Sequence, residues 1–293
     1  MKFAIAFANT GPFVDPGPAI EFARSAEAAG FESLWTVEHV VVPANYQSTY
    51  PYSPTGRMPG REDASVPDPL VWLAFLAAAT TTIRLATGIL ILPQRQPVVL
   101  AKELATLDYL SGGRLELGVG VGWLREEFDA IGVPFEQRGR RTEEYVAAMR
   151  VLWNDSEATF SGEYTNFNRC ISRPQPVNGT IPVHVGGHSE IAARRAGRLG
   201  DGFFPGEGRH ELLTPLIEVA RSSADAFGRD GDALEITSGG LGAVGERALD
   251  EVAALAAMGV DRIIVPAFHF YRGTNEALAR YGAEVIGPAA SIH

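Results

Sequence analysis

The sequence predicts a (β/α)8 barrel of the TIM type, with insertions after the second strand and before the fifth. Three observations carry this. Short apolar runs and amphipathic helical stretches alternate eight times along 293 residues, and one such barrel needs about 250. The stretch from 82 to 123 reads as a complete β-α-β unit of a parallel sheet. The unusual residues of that unit, mostly glycines, fall at the downstream ends of its strands, where parallel α/β folds bind ligands.

The elements follow in order. Lys2–Ala8 forms the first strand and ends in Asn9-Thr10-Gly11-Pro12. Pro18–Ala29 is a helix with Gly30 just past its end, where a left-handed residue is wanted. Glu32–Val37 is the second strand, ending in Glu38-His39. Residues 40–69 are rich in Pro and Gly and read as a long irregular loop carrying Tyr46, Tyr50 and Tyr52; loops of this length are usually functional. Leu70–Ala79 is a helix. Ile83–Leu92 is a continuous apolar strand, broken only by Gly88, and suits burial on both faces. Pro97 opens the next helix, where its missing N–H costs nothing, and Arg114–Val119 is the fourth strand.

A broken helix covers 126–131 and 142–153. Residues 154–180 form a second insertion, with a small hairpin predicted from 158–160 and 163–166 about Ser161-Gly162. Strands at 181–185, 201–204, 234–238 and 261–265 alternate with helices at 189–199, 211–227, 246–258 and 275–286. The whole of residues 1–293 is expected to be one barrel domain.

Composition narrows the function. A net charge of −10 and pI of about 5.1, with no basic run, exclude a nucleic-acid partner. The longest apolar helix is about half a membrane span, so no membrane role is expected. The single cysteine, Cys170, fits a reducing cytoplasm. Lys2 and Lys102 are the only lysines, and neither ends a strand, which argues against Schiff-base and pyridoxal-phosphate chemistry. The histidines are His39, His184, His188, His210, His269 and His293. They form no HExxH motif and no i, i+4 pair, and no carboxylate cluster accompanies those expected at the mouth, so no metal is expected.

Four features can carry chemistry. Gly88, and the glycines Gly118, Gly120 and Gly122, clear side chains from two adjacent strand ends. They make a bed for a flat ligand or simply room for packing, in even balance. Gly186-Gly187-His188-Ser189 precedes a helix; its amides and dipole suit phosphate, though a tight turn capped by Ser189 explains the same residues. Glu38 beside His39 suits proton handling, against the plainer reading that Glu38 pairs with an arginine and His39 packs. GVGVGW at 118–123 lacks the spacing of a dinucleotide fingerprint, and Trp123 either stacks on a ligand or caps the core.

Several segments resemble the bacterial luciferase-like oxidoreductases, and within them the coenzyme F420-dependent branch. These are SLWTVEHVVVP (33–43), YPYSPTGRMP (50–59), FLAAATTTIRLATGILILPQRQP (75–97), ATLDYLSGGRLELGVGVGWLREEF (105–128), RPQP (173–176) with IPVHVGG (181–187), and AGRLGDGFFP (196–205). The resemblance spans nearly the whole chain. It implies a flavin or deazaflavin at the C-terminal mouth of the barrel and a non-prolyl cis peptide at Gly88–Ile89. It implies that Glu38 and His39 contact the redox half of the cofactor. It also implies that Gly120, Val121 and Gly122 lie along the ring or its side chain, and that Gly186, Gly187 and His188 hold its phosphate. His39 is the expected catalytic residue, and Asn9 and Trp123 the expected substrate-pocket residues. Where the sugar-phosphate dehydrogenases of the branch carry a catalytic glutamate, this chain has Trp123, while Glu126 and Glu127 lie one turn further and are not expected to reach. A sugar phosphate is therefore disfavoured, and an apolar, aromatic pocket expected.

The expected activity is F420-dependent hydride transfer between deazaflavin C5 and a small organic substrate, in a cytoplasmic homodimer. The alternatives are an FMN-dependent monooxygenase using O2 and reduced flavin, and a flavin-binding barrel without turnover.

Overall fold

The computed structural model describes residues 1–206 and 208–292; His293 lies outside the described residues. Its elements run β1 (Lys2–Ala6), α1 (Pro16–Ala28), β2 (Ser33–Thr36), α2 (Pro69–Ala77), β3 (Arg84–Thr87), β4 (Leu90–Ile91), α3 (Pro97–Ser111), β5 (Leu115–Gly120), α4 (Arg125–Ala130), α5 (Arg138–Asn154), β6 (Ala158–Ser161), β7 (Asn166–Cys170), β8 (Val183–Gly186), α6 (Glu190–Leu199), β9 (Gly202–Phe204), α7 (His210–Ala226), β10 (Glu235–Gly239), α8 (Ala248–Ala257), β11 (Arg262–Pro266) and α9 (Thr274–Tyr281).

The sheet closes. β1 pairs in parallel with β11 on one side and β2 on the other, and the order continues through β3, β5, β8, β9 and β10 back to β11. The short β4 continues the third barrel strand and pairs with β5. This is the (β/α)8 barrel that the alternation of apolar runs predicts. Between sheet and helices lies one large apolar layer, with fully buried Phe13, Phe22, Leu34, Leu73, Leu104 and Trp153. Inside the barrel sits a small second cluster of Ala4, Ala6, Trp35, Ala86 and Ile264, with Phe204 packed on it. Alanines dominate it because Trp35 fills the narrow centre.

Three local expectations shift. The third predicted strand is interrupted at Gly88–Ile89, where the peptide bond is cis. The second hairpin arm starts at Asn166, not 163. The Glu144 carboxylate accepts the N–H groups of Glu163, Tyr164 and Thr165 and holds them in the turn. The last helix leaves α-geometry at Gly282 and continues as a wider π turn to Ile286. A side chain at Gly282 would stand 2.4 Å from the Ala29 carbonyl, so only glycine lets α1 and this turn approach.

Candidate functional site at the carboxyl rim of the barrel

Asn9 and Glu38, past the ends of β1 and β2, turn inward. Asn9 is fully buried. Its amide donates to the Val37 and Pro67 carbonyls at 2.9 and 3.0 Å and accepts the Val37 N–H at 2.8 Å. The expectation that Asn9 lines a substrate pocket is corrected: its hydrogen bonds are used in tying two strand ends to the end of the 40–68 loop. Glu38 is also buried. It accepts the Ile91 N–H and both Nε and Nη2 of Arg95, which in turn reaches Asp68 at 2.8 Å. Burial pushes the Glu38 carboxyl up, against the pull of the Arg95 charge and the Ile91 N–H. Of the two readings of Glu38, pairing with an arginine is the one the geometry bears out.

The glycine bed is occupied. A Cβ on Gly118 would lie 1.9 Å from the Thr87 carbonyl oxygen, and one on Gly88 would lie 2.9 Å from the Trp35 ring. Gly120 and Gly186 leave room for the side chain of Ile89, which would be 2.4 and 2.6 Å from added Cβ atoms. Gly122, at φ +78°, packs against Ile91 and Phe128. The expected bare-backbone bed at Gly88, Gly118, Gly120 and Gly122 is therefore corrected to close interior packing, and Gly186 of the expected phosphate turn packs on Ile89 in the same way. What remains toward the rim is Ile89 itself, half-buried, seated over Gly120 and Gly186. Val121, also half-buried, follows β5.

His39 finds a partner the sequence did not suggest. Glu127, in the first turn of α4 and fully buried, places Oε2 3.1 Å from His39 Nδ1. Its other oxygen accepts the Val40 N–H at 2.6 Å and the Val41 N–H at 3.3 Å. Of the two acidic residues not expected to reach, Glu127 meets His39, whereas Glu126 turns to the 40–68 loop. Glu126 accepts the N–H groups of Gln47 and Ser48 and the Ser48 hydroxyl, and those bonds lower its carboxyl to about 2. The missed signal was spacing: two acidic residues open a short helix soon after β5, and one of them faces the residues past β2, one strand further on.

Around His39 stands an aromatic group. Trp123 packs edge-on against His39 at 5.9 Å, against Tyr46 at 5.3 Å and against Tyr50 at 5.0 Å. Tyr50 meets Tyr52 edge-on, and Tyr52 stacks on His188 at 4.0 Å. Burial raises the Tyr50 phenol to about 12, so it stays a neutral donor. Arg57 stacks on Tyr46 and donates to its carbonyl. The 40–68 loop therefore runs across the rim from the end of β5 to the end of β8, as an aromatic cover. Trp123 and the tyrosines come together as the sequence led us to expect.

At the end of β8, Gly187 has φ +131° and would bring a Cβ 2.8 Å from that of Ala192. Only glycine makes this turn into α6. The Ser189 side chain caps the helix, accepting the Ala192 N–H. His39, His188 and His269 all lie past strand ends on this rim, each with different neighbours. His269 packs on Phe268 and has a buried Nε2 without a hydrogen-bond partner; burial lowers its pKa.

At the opposite, amino end of the barrel a histidine that the sequence placed only in mid-strand joins a carboxylate cluster. His184 Nε2 lies 3.1 Å from Glu116, and donor atoms of Glu116, His184 and Glu235 fall within 4.8 Å of one another. Arg262 already supplies the cation there. It is fully buried and lies 3.0 Å from Glu116, 2.6 Å from Glu235 and 3.0 Å from Glu32. Burial alone would raise the Glu116 carboxyl, but the His184 hydrogen bond and the charges of Arg262 and Arg84 hold it well below the usual range.

A closed parallel barrel with its histidines, buried carboxylates and aromatic cover at the carboxyl rim is the arrangement of a barrel enzyme. The family is narrower than that. Residues 2–286 match the model of the luciferase-like monooxygenases, and the chain belongs to that family. It is 36% identical over 210 residues to the uncharacterized protein Rv0953c of Mycobacterium tuberculosis, covering 71% of this chain and 74% of that one. It is 32% identical over 220 residues to the F420-dependent glucose-6-phosphate dehydrogenase of Kineococcus radiotolerans, covering 73% of this chain and 60% of that one. It is 30% identical over 209 residues to the FMNH2-dependent dimethylsulfone monooxygenase of Pseudomonas fluorescens, covering 70% and 52%. The F420-dependent tetrahydromethanopterin reductase of Methanopyrus kandleri shares the fold, with a TM-score of 0.76 at 18% identity over 98% of this chain and 99% of that one. The three of these whose names give an activity are oxidoreductases or monooxygenases. No helix among the described residues is long and apolar enough to cross a membrane.

Proposed function

We propose that the protein is a coenzyme F420-dependent oxidoreductase acting on a small, largely apolar organic substrate, with His39 handling the proton. The observation that carries this is the His39–Glu127 pair at the rim, against Trp123 and the tyrosine cover. When bound, the deazaflavin supplies hydride chemistry, and the protein supplies position and proton transfer. Ile89 would support the ring, in place of the bare glycine backbone first expected. Gly187, His188 and Ser189, opening α6, would hold the phosphate, and Val121 would flank the side chain. Glu38 supports this surface through Ile91 and Arg95 rather than touching the cofactor. The arginines near His39 favour an uncharged substrate: Arg95 is engaged by Glu38 and Asp68, and Arg57 lies on Tyr46.

The second reading is an FMN-dependent monooxygenase using O2 and reduced flavin. It is favoured by the Pseudomonas relative, whose identity nearly equals that of the F420 enzyme. We also infer a cytoplasmic homodimer. The outward face of α2 supports a dimer, since Val71 and Phe75 stand exposed one turn apart on a helix apolar all round. Fluorescence titration of the purified protein with F420 and with FMN separates the cofactor readings. Micromolar F420 binding with weak FMN binding is expected; tight FMN binding without an F420 response would overturn the first reading.

A further inference from the structure

We propose that Glu127 is the positioning residue for His39: it sets which ring nitrogen carries the proton, and so leaves Nε2 as the base. This rests on the reading of His39 as the proton-handling group. The geometry leaves little freedom. Glu127 is fully buried, and its Oε1 is committed to the Val40 and Val41 N–H groups. Its Oε2 faces Nδ1. A carboxylate accepts hydrogen bonds and does not donate, so the neutral imidazole must place its proton on Nδ1. Nε2, on the far side of the ring from Glu127, then holds a lone pair. It can take a proton from a substrate hydroxyl, or return one to a substrate oxygen in the reverse direction. The same carboxylate fixes the ring's orientation, because its other oxygen is locked to the backbone directly after His39.

The arrangement makes a sharp prediction for Glu127→Gln. The Val40 and Val41 N–H groups require an acceptor, so the amide oxygen takes their side. The amide NH2 then faces Nδ1 and donates to it. His39 must carry its proton on Nε2, and the base is blocked. A residue that only anchored the loop would keep both backbone bonds as glutamine and leave the imidazole unchanged.

The test is 15N NMR of protein labelled at histidine, recorded at about pH 8, above the ordinary imidazole range. His39→Ala assigns the signal. Wild type is expected to show Nδ1 protonated and Nε2 bare, and Glu127→Gln to move the proton to Nε2 with its melting temperature little changed. A wild-type ring protonated at Nε2, or a tautomer unmoved by Glu127→Gln, overturns the proposal. If the variant does not fold, the wild-type spectrum alone still decides whether Nδ1 bears the proton. No cofactor or substrate enters this measurement, so it stands or falls apart from the cofactor titration.

Discussion

The two ends of the barrel use charge in opposite ways. At the amino end, Lys2, Arg84 and Arg262 interleave with Glu32, Glu116 and Glu235, three positive groups against three negative, with His184 hydrogen-bonded among them. The charges balance, although the buried Nδ1 of His184 has no hydrogen-bond partner. At the carboxyl end, Glu38 is closed by Arg95, but Glu127 meets a histidine that uses only one of its two nitrogens toward its partner. A charge-balanced network contributes to stability and specifies register. A pair with one nitrogen left over can do chemistry. Buried charge is therefore no sign of function by itself; what matters is whether an uncommitted titratable atom lies at the rim where a ligand can reach it.

The largest expected effect tests the amino end. Arg262→Met should destabilise the fold by about 3–5 kcal/mol, because Glu116 and Glu235 lose the cation they face in a buried site. Urea unfolding reads this directly, and a loss under about 1 kcal/mol would mean that Arg262 does not neutralise the cluster as described. A smaller effect lies at the outer edge of the same end. The Glu27 carboxylate on α1 accepts the N–H groups of Thr81, Thr82 and Ile83 at the entry to β3. Although burial opposes ionisation, these bonds lower its pKa from 4.5 to about 2. A lowered folded-state value gives stability that is present above the unfolded value of 4.5 and lost as pH falls through about 2. Glu27→Gln should cost less than about 1 kcal/mol at pH 7, since the half-buried group is still screened by water, and the difference from wild type should fade as pH falls through about 2. A pH-independent difference would refute the assignment. The smallest stability effect belongs to the mouth. Tyr52→Ala should leave unfolding within about 0.5 kcal/mol of wild type. It should still alter the association rate of the cofactor, because Tyr52 lies on His188. Unchanged stopped-flow association would show that the cover does not gate that site.

Much of this was legible in the residues. Alternation of apolar runs and helical stretches defined the eight strands to within a few residues, since burial on both faces leaves few ways to write a parallel strand. The aromatic cover was legible as Tyr46, Tyr50 and Tyr52 in one long loop with Trp123 opposite. The glycines misled. Their pattern shows where side chains are missing, not what fills the gap, and Ile89, Trp35 and the Thr87 carbonyl fill it. The partner of His39 was out of reach because residues 39 and 127 are far apart in the chain and meet only when β2 and β5 stand on either side of β3. His184 was hidden in the same way: its neighbours Glu116 and Glu235 come from β5 and β10.

The amino-acid sequence by itself determined the barrel, its insertions, its family and the rim on which chemistry gathers, because hydrophobic period and chain punctuation are local properties. Only the tertiary structure decided which charges cancel and which nitrogen stays available. Those outcomes depend on distances of about 3 Å between side chains brought together by barrel closure, and no local pattern encodes them.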